Sequence, residues 1–313
     1  MILIGHRGCK YPGYNQNTIR SFTKVTSEGV AAIEFDVQLS ADKELVIVHN
    51  LDLEEVSTGK GEVSSTDSAT LKNLFAGDPT QGEDRIPFLA DVFDFFASCA
   101  ADKRPAIHME LKGNNTGRMA GELFNKYVAA EKLSMSDMLV SSFNWKELEA
   151  IREVCPEVKV ALLDGAIRRN LLLKKTGPQA EQYFAELFAY GNEDYMLPRF
   201  PVLADNLKLL DRICADQQIH SLLSQELKDC LNGRYYTDEL LDSADSMKAT
   251  SINLWYRTVA PEFIEKAHAR GLAVFVYTAN LPEEWTALAD MGIDGVFTDF
   301  YAEAARTLAD YKI

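Results

Sequence analysis

Eight short apolar runs, each separated from the next by a stretch with helical spacing, constrain this chain more than any other feature it has. They fall at Ile2–Gly5, Ala32–Leu39, Ile107–Leu111, Met138–Phe143, Val158–Leu163, Ser251–Trp255, Ala273–Thr278 and Gly295–Thr298. The helical patterns cover Asn17–Glu28, Leu89–Ala100, Gly117–Ala130, Trp145–Glu153, Thr237–Ala249, Ala260–Arg270 and Pro282–Met291. Strands buried on both faces read as near-continuous apolar runs. Eight of them alternating with helices predict an α/β fold of the (β/α)8 TIM-barrel type. A doubly wound sheet fits less well, because no glycine-rich dinucleotide turn is present.

The 313 residues suffice for one such barrel spanning the whole chain, 1–313. Two stretches exceed its minimal plan. Residues 51–87 are polar and carry Gly59, Gly61, Gly77 and Gly82, and read as a small insertion. Residues 164–236 separate the fifth strand from its helix and read as a helical insertion, with helical patterns at Val202–Asp216 and Ser221–Leu231. Both follow a strand and precede a helix, so a barrel would raise both from its catalytic face. The aromatics of the second (Tyr183, Phe184, Phe188, Tyr190, Tyr195 and Phe200) fit a packing cluster or a cap over substrate.

The formal net charge of −15 argues against nucleic acid or an anionic membrane as partner unless a local basic site overrides it. A small anionic substrate needs its own cations or a metal. Five cysteines with no CxxC pair point to free thiols rather than a disulfide framework. No signal peptide precedes Ile2 and no uncharged run reaches the length of a membrane span, so a soluble, cytoplasmic protein is expected.

The candidate chemistry sits at strand ends. Gly5-His6-Arg7-Gly8 places a titratable ring and a permanent cation between two glycines, which let the backbone approach a ligand closely. Glu34 and Asp36 are two apart on a strand and face one way, amid apolar Ile33, Phe35 and Val37. A divalent cation with oxygen preference would relieve their repulsion; an exposed edge strand is the alternative. Leu45–Val48 delivers His49, either the second member of an acid/base pair or a capped core histidine. In Ile107–Lys112, Glu110 offers a third carboxylate and Lys112 a cation, or the two form an ordinary ion pair, while His108 reads as structural. Together, an oxygen-ligated metal, two histidines and two cations suit phosphoryl chemistry.

The motifs resemble those of the glycerophosphodiester phosphodiesterase family. They are His6-Arg7-Gly8, Gln16-Asn17-Thr18, Glu34-Phe35-Asp36, His49-Asn50, Glu110-Leu111-Lys112, Ser142-Phe143, Thr278-Ala279-Asn280 and Gly292-Ile293-Asp294-Gly295-Val296-Phe297-Thr298-Asp299, in family order along almost the whole chain. The resemblance implies a barrel of the phospholipase-C-like phosphodiesterase type that hydrolyses glycerophosphodiesters to glycerol 3-phosphate and an alcohol. It implies His6 and His49 as the acid/base pair. Glu34, Asp36 and Glu110 would bind Mg²⁺ or Ca²⁺, with Mn²⁺ as a substitute, and Arg7 and Lys112 would hold the phosphate. Asn17 and Asn280 would stand beside the site. It also implies that a glycerol hydroxyl can attack first, giving a cyclic phosphate that water opens. Two positions depart from the family: Gln16 stands where Glu is usual and Asn50 where Asp is usual. Each removes a negative charge while keeping hydrogen-bonding capacity. Two other readings follow. One is a related phosphodiesterase or phosphomonoesterase with another substrate, such as a lysophospholipid. The other is a barrel that binds a phosphorylated ligand without turnover. The oligomeric state is not legible.

Overall fold

Strand β1 (Ile2–Gly5) pairs in parallel with two partners, β2 (Ala32–Leu39) and the last strand, and this double pairing closes the sheet. The structure is a computed structural model and describes residues 1–164, 188–190, 197–198, 238–256 and 259–311. Between β1 and β2 runs α1 (Ile19–Ser27); after β2 come β3 (Leu45–Ile47), α2 (Ser68–Leu71) and α3 (Leu89–Ser98). Then follow β4 (Ala106–Leu111), α4 (Thr116–Ala129), β5 (Met138–Ser142), α5 (Trp145–Val154) and β6 (Lys159–Asp164). A separate antiparallel pair, β7 (Phe188–Tyr190) and β8 (Leu197–Pro198), precedes α6 (Asp238–Ser246). The chain continues with β9 (Ser251–Trp255), α7 (Pro261–Ala269), β10 (Ala273–Tyr277), α8 (Pro282–Asp290), β11 (Gly295–Thr298) and α9 (Tyr301–Thr307).

Eight parallel strands, in the order β1-β11-β10-β9-β6-β5-β4-β2 and back to β1, form the barrel that the alternation predicts. Strand β3 was not expected as a strand. It adds antiparallel to the far end of β2, with Ile47 opposite Val37 and Leu45 opposite Leu39. The helical insertion expected at 164–236 lies outside the described residues apart from Asp164 and the β7–β8 backbone. Among the described residues, no helix is long and apolar enough to cross a membrane, and Cys9, Cys99 and Cys155 are free.

Strand β2 is buried along its whole length, and its period of two sorts its side chains. Ile33, Phe35, Val37 and Leu39 join the large apolar layer between barrel and helices. There Phe35 lies 5.8 Å from Phe22 of α1 and 6.1 Å from Phe96 of α3, ring centre to ring centre. Glu34, Asp36 and Gln38 are left for the barrel interior. An apolar group of Ile4, Ala32 and Phe297 fills the interior near the start of the strands. His108 stands above it, level with Glu34. Its ring meets Phe297 edge-on at 4.8 Å, and its Nε2 pairs with Asn253 Nδ2 at 3.0 Å.

Residues 51–87 carry a core of their own, in which Leu53, Val63, Leu71, Ala76 and Ile86 pack with Val46, Val48 and Phe88. Arg20 of α1 binds Asp84 at 2.7 Å, and Asn15 Nδ2 donates to the carbonyls of Asp78 and Gly82 at 3.1 Å each. The segment is thereby stapled to the loop that follows β1.

Burial drives the His108 pKa down to about 3. The unfolded chain takes up that proton at about pH 6.5, and the folded chain refuses it until much lower pH. Stability from this group is full above pH ~6.5 and is lost as pH falls toward the folded value. Replacing His108 with Gln should therefore reduce by about one the protons taken up on unfolding between pH ~6.5 and ~4, read from the slope of stability against pH.

Candidate active site at the barrel mouth

His6 and Arg7 leave the end of β1 in a turn pressed against α1. A Cβ on Gly5 would stand 2.7 Å from the Gly8 carbonyl oxygen. One on Gly8, at φ +82°, would stand 2.5 Å from Ser21 Oγ and 2.9 Å from Phe22. The glycines that frame the dipeptide are thus required by close approach and by positive φ. Arg7 itself sits at φ 51°, a region that side-chain-bearing residues seldom adopt. That conformation aims its N–H at Glu34, donating to Oε2 at 2.8 Å.

Glu34 and Asp36 on β2 and Glu110 on β4 converge, with Asp36 level with Glu110 across the two strands. One oxygen from each lies within 4.8 Å of the others. Asp36 Oδ2 accepts from Asn17 Nδ2 at 2.9 Å and lies 3.3 Å from Arg7 Nε. Lys112 Nζ lies 2.7 Å from Glu110 Oε1 and 3.5 Å from Asp36 Oδ1, without the alignment of a hydrogen bond. Glu34 Oε1 is buried and accepts nothing. Buried carboxylate oxygens turned toward one point and left unsatisfied are the donor set of a hard divalent cation. The residues present therefore fit such an ion.

The electrostatics agree. Burial, and then the charges of Asp36 and Glu110, push the Glu34 carboxyl well up. Burial also raises Glu110, against the pull of Lys112. Burial works the same way on Asp36, but His49, Lys112, Arg7 and Asn17 outweigh it and hold that carboxyl below the usual range. Lys112 stays charged, because Glu110 and Asp36 overcome its own desolvation.

Two imidazoles flank this cluster. His6 Nδ1 bonds Asp299 Oδ1 at 2.7 Å, and its Nε2 lies 3.5 Å from Thr278 Oγ1. Asp299 Oδ2 is held by Asn280 Nδ2 at 2.9 Å and by Lys10 Nζ at 3.3 Å. Burial and the Arg7 charge drive the His6 pKa down to about 4 despite Asp299. His49 Nδ1 pairs with Asn50 Oδ1 at 2.6 Å. Burial, Arg7 and Lys112 lower its pKa well below the ordinary value, against Asp36 and Asn50.

The candidate site residues singled out from the sequence meet at this mouth. Gln16 accepts from Arg7 Nη1 at 3.1 Å and so steadies the arginine. Lys112 is already engaged by two of the carboxylates. Sequence reasoning gave no role to Asp299, Lys10 or Gln38. Asp299 closes the last strand motif, a signal that was present. Gln38 continues the period of two from Glu34 and Asp36. Its Nε2 reaches the carbonyls of Val48, His49 and Asn50 at 2.8, 3.2 and 2.7 Å and holds the turn that carries His49.

The chain matches the model of the glycerophosphoryl diester phosphodiesterase family over residues 6–303. A glycerophosphodiester phosphodiesterase of Caldanaerobacter subterraneus is 30% identical over 304 residues, covering 95% of this chain and 93% of that protein. An Oleispira antarctica phosphodiesterase solved with the product sn-glycerol-3-phosphate superposes with a TM-score of 0.68 at 18% identity, covering 99% of this chain and 97% of that one. A glycerophosphodiester phosphodiesterase from Parabacteroides distasonis gives 0.62 at 22% identity, with 99% and 97% covered. At these identities the solved structures establish the shared fold. The chain belongs to the glycerophosphoryl diester phosphodiesterase family, and its reaction class is glycerophosphodiester hydrolysis.

Because burial and the like charges of Asp36 and Glu110 raise the Glu34 carboxyl, cation binding should expel a proton there, and affinity should rise with pH. Calorimetry in buffers of different ionisation enthalpy reads the release. Glu34→Gln should abolish it and weaken Mg²⁺ or Ca²⁺ binding about ten-fold or more. Gln38→Leu removes the donor that the 48–50 carbonyls share, at a cost of about 1–3 kcal/mol. It should lower turnover while leaving cation affinity unchanged, as steady-state kinetics and the same calorimetry would show.

Proposed function

We propose that this member of the family hydrolyses glycerophosphodiesters to glycerol 3-phosphate and an alcohol in a metal-dependent reaction. Glu34, Asp36 and Glu110 would hold Mg²⁺, Ca²⁺ or Mn²⁺, and His6 and His49 would move the protons. The observation that carries this reading is the convergent carboxylate trio with its buried, unsatisfied Glu34 oxygen, set between two imidazoles and two cations.

Charge balance supports it. With all three carboxylates ionised, as a bound cation requires, they exceed Arg7 and Lys112 by one negative charge. A divalent cation reverses that sign, and a phosphodiester, which carries a single negative charge, restores neutrality. When bound, the cation supplies charge stabilisation at the phosphoryl oxygens. The chain's own residues do the rest. Arg7 and Lys112 bind and orient the phosphate from beside the carboxylates. Asp299 holds His6 by Nδ1, so Nε2 faces the reaction and the imidazolium that forms is stabilised. His6 therefore takes the proton of the attacking hydroxyl, from water or from the substrate's own glycerol. His49 delivers a proton to the leaving alkoxide.

A second reading of the leaving group has its own observation. Leu51, two residues past His49, and Leu281, beside Asn280, are 41% and 48% exposed at the rim. They favour an alcohol with an apolar part, as in a lysophospholipid. The segments 51–87 and 164–236 follow β3 and β6 and are proposed to shape that choice.

Glycerol 3-phosphate release from glycerophosphocholine tests the reading. EDTA should stop it and a divalent cation restore it. His6→Ala and His49→Ala should each cost roughly 10²–10⁴-fold in kcat. Turnover near the wild-type level in both variants, or insensitive to EDTA, would remove the proposed mechanism. A lysophospholipid hydrolysed with the higher kcat/KM would establish the apolar leaving group.

A further inference from the structure

Asn50 stands directly against a proposed proton carrier, yet it is a neutral amide that can present either end. An oxygen turned to His49 accepts from Nδ1–H; a nitrogen turned to it donates and forces the ring proton to Nε2. The backbone does not make the choice. Gln38 pins the carbonyls of Val48, His49 and Asn50 and leaves the Asn50 side chain to rotate.

Glu55 makes the choice. Asn50 Nδ2 donates to Glu55 Oε2 at 3.0 Å, while Asn50 Oδ1 meets His49 Nδ1 at 2.6 Å. An ionised carboxylate only accepts, so it takes the amide's N–H and turns the oxygen to the ring. We propose that Glu55 is a positioning residue that acts through Asn50 to keep the Nδ1–H of His49 bonded, so that Nε2 faces the reaction and is the nitrogen that takes up and then delivers the proton. The inference rests on His49 being a proton carrier, as proposed above.

The arrangement bears on the departure at position 50. An aspartate there would accept from His49 Nδ1–H unaided, but would face Glu55 across the same short gap as a like charge. The amide passes on orientation and leaves the negative charge one step further out, on Glu55. Asn50 and Glu55 therefore belong together, and restoring the acid at position 50 alone should not improve the enzyme.

This non-additivity is the test. Glu55→Ala should lower kcat about five- to twenty-fold, with KM for glycerophosphocholine and cation affinity unchanged, as for a histidine partly in its wrong tautomer. Asn50→Asp should give no gain over wild type while Glu55 is present. The double variant Asn50→Asp/Glu55→Ala should return to within about three-fold of wild type, above Glu55→Ala alone, because the new carboxylate takes over. A kcat in Glu55→Ala equal to wild type with the His49 tautomer unmoved, or a double variant at or below the product of the two single effects, would overturn the proposal. A second readout is independent of activity. Nitrogen-15 spectra of labelled histidine at about pH 8, with the His49 signal assigned by its loss in His49→Asn, should show the proton on Nδ1. Glu55→Ala should move it partly to Nε2. Wild-type His49 protonated on Nε2 would also overturn the proposal. A tautomer shift in Glu55→Ala with kcat unchanged would leave Glu55's hold on the ring intact and remove His49 from the proton chemistry.

Discussion

Three carboxylates at one barrel mouth, two buried and one half-buried, form the constraint around which this site is built. Desolvation raises the cost of each charge, and their mutual repulsion adds to it. The protein offsets that cost with cations and donors placed at fixed points: Lys112 beside Glu110 and Asp36, Arg7 and Asn17 on Asp36, and the Arg7 N–H on Glu34. Glu34 Oε1 is left over, which marks the side from which a metal ion would complete the balance. The tight glycine turn after β1 follows from the same need. Without the positive φ at Arg7, its N–H would not meet the carboxylate.

The barrel supplies geometry for this cluster through β2. One strand carries Glu34, Asp36 and Gln38 inward and Ile33, Phe35, Val37 and Leu39 outward. The apolar face that anchors it to α1 and α3 and the polar face that builds the site are therefore locked in one register. Its parallel neighbour β4 brings Glu110 level with Asp36, and its antiparallel neighbour β3 delivers His49. A shift of one residue would exchange the two faces of β2 and lose both the core and the site.

The two imidazoles are held in different ways. His6 rests on a carboxylate that is itself held by Asn280 and Lys10, at the end of the last barrel strand. His49 rests on an amide whose orientation comes from Glu55. A ring backed by charge is the better acceptor of a proton; a ring backed by a neutral amide gives one up more readily. The proposed division of labour between His6 and His49 follows from that asymmetry.

The linear sequence by itself determined the barrel and most of the side chains that line the candidate site. Strand periodicity and burial are local properties, and eight near-continuous apolar runs can close in few ways. Glu34 and Asp36 were legible because period two places them on one face, and His6 because two glycines frame it. What only the tertiary structure decided is which partner each group has. Asp299 meets His6 across almost the whole chain, Asp36 meets Arg7 and Lys112 from different strands, and Asn253 reaches His108 across the barrel interior. No spacing along the chain encodes such distances. Gln16, Asn50 and Lys112 show the limit most plainly. Their residue types stated what they can donate or accept, but the fold of the loop after β1 chose Arg7 for Gln16, the pairing of β2 with β4 added Asp36 to Glu110 for Lys112, and the packing of 51–87 chose Glu55 for Asn50.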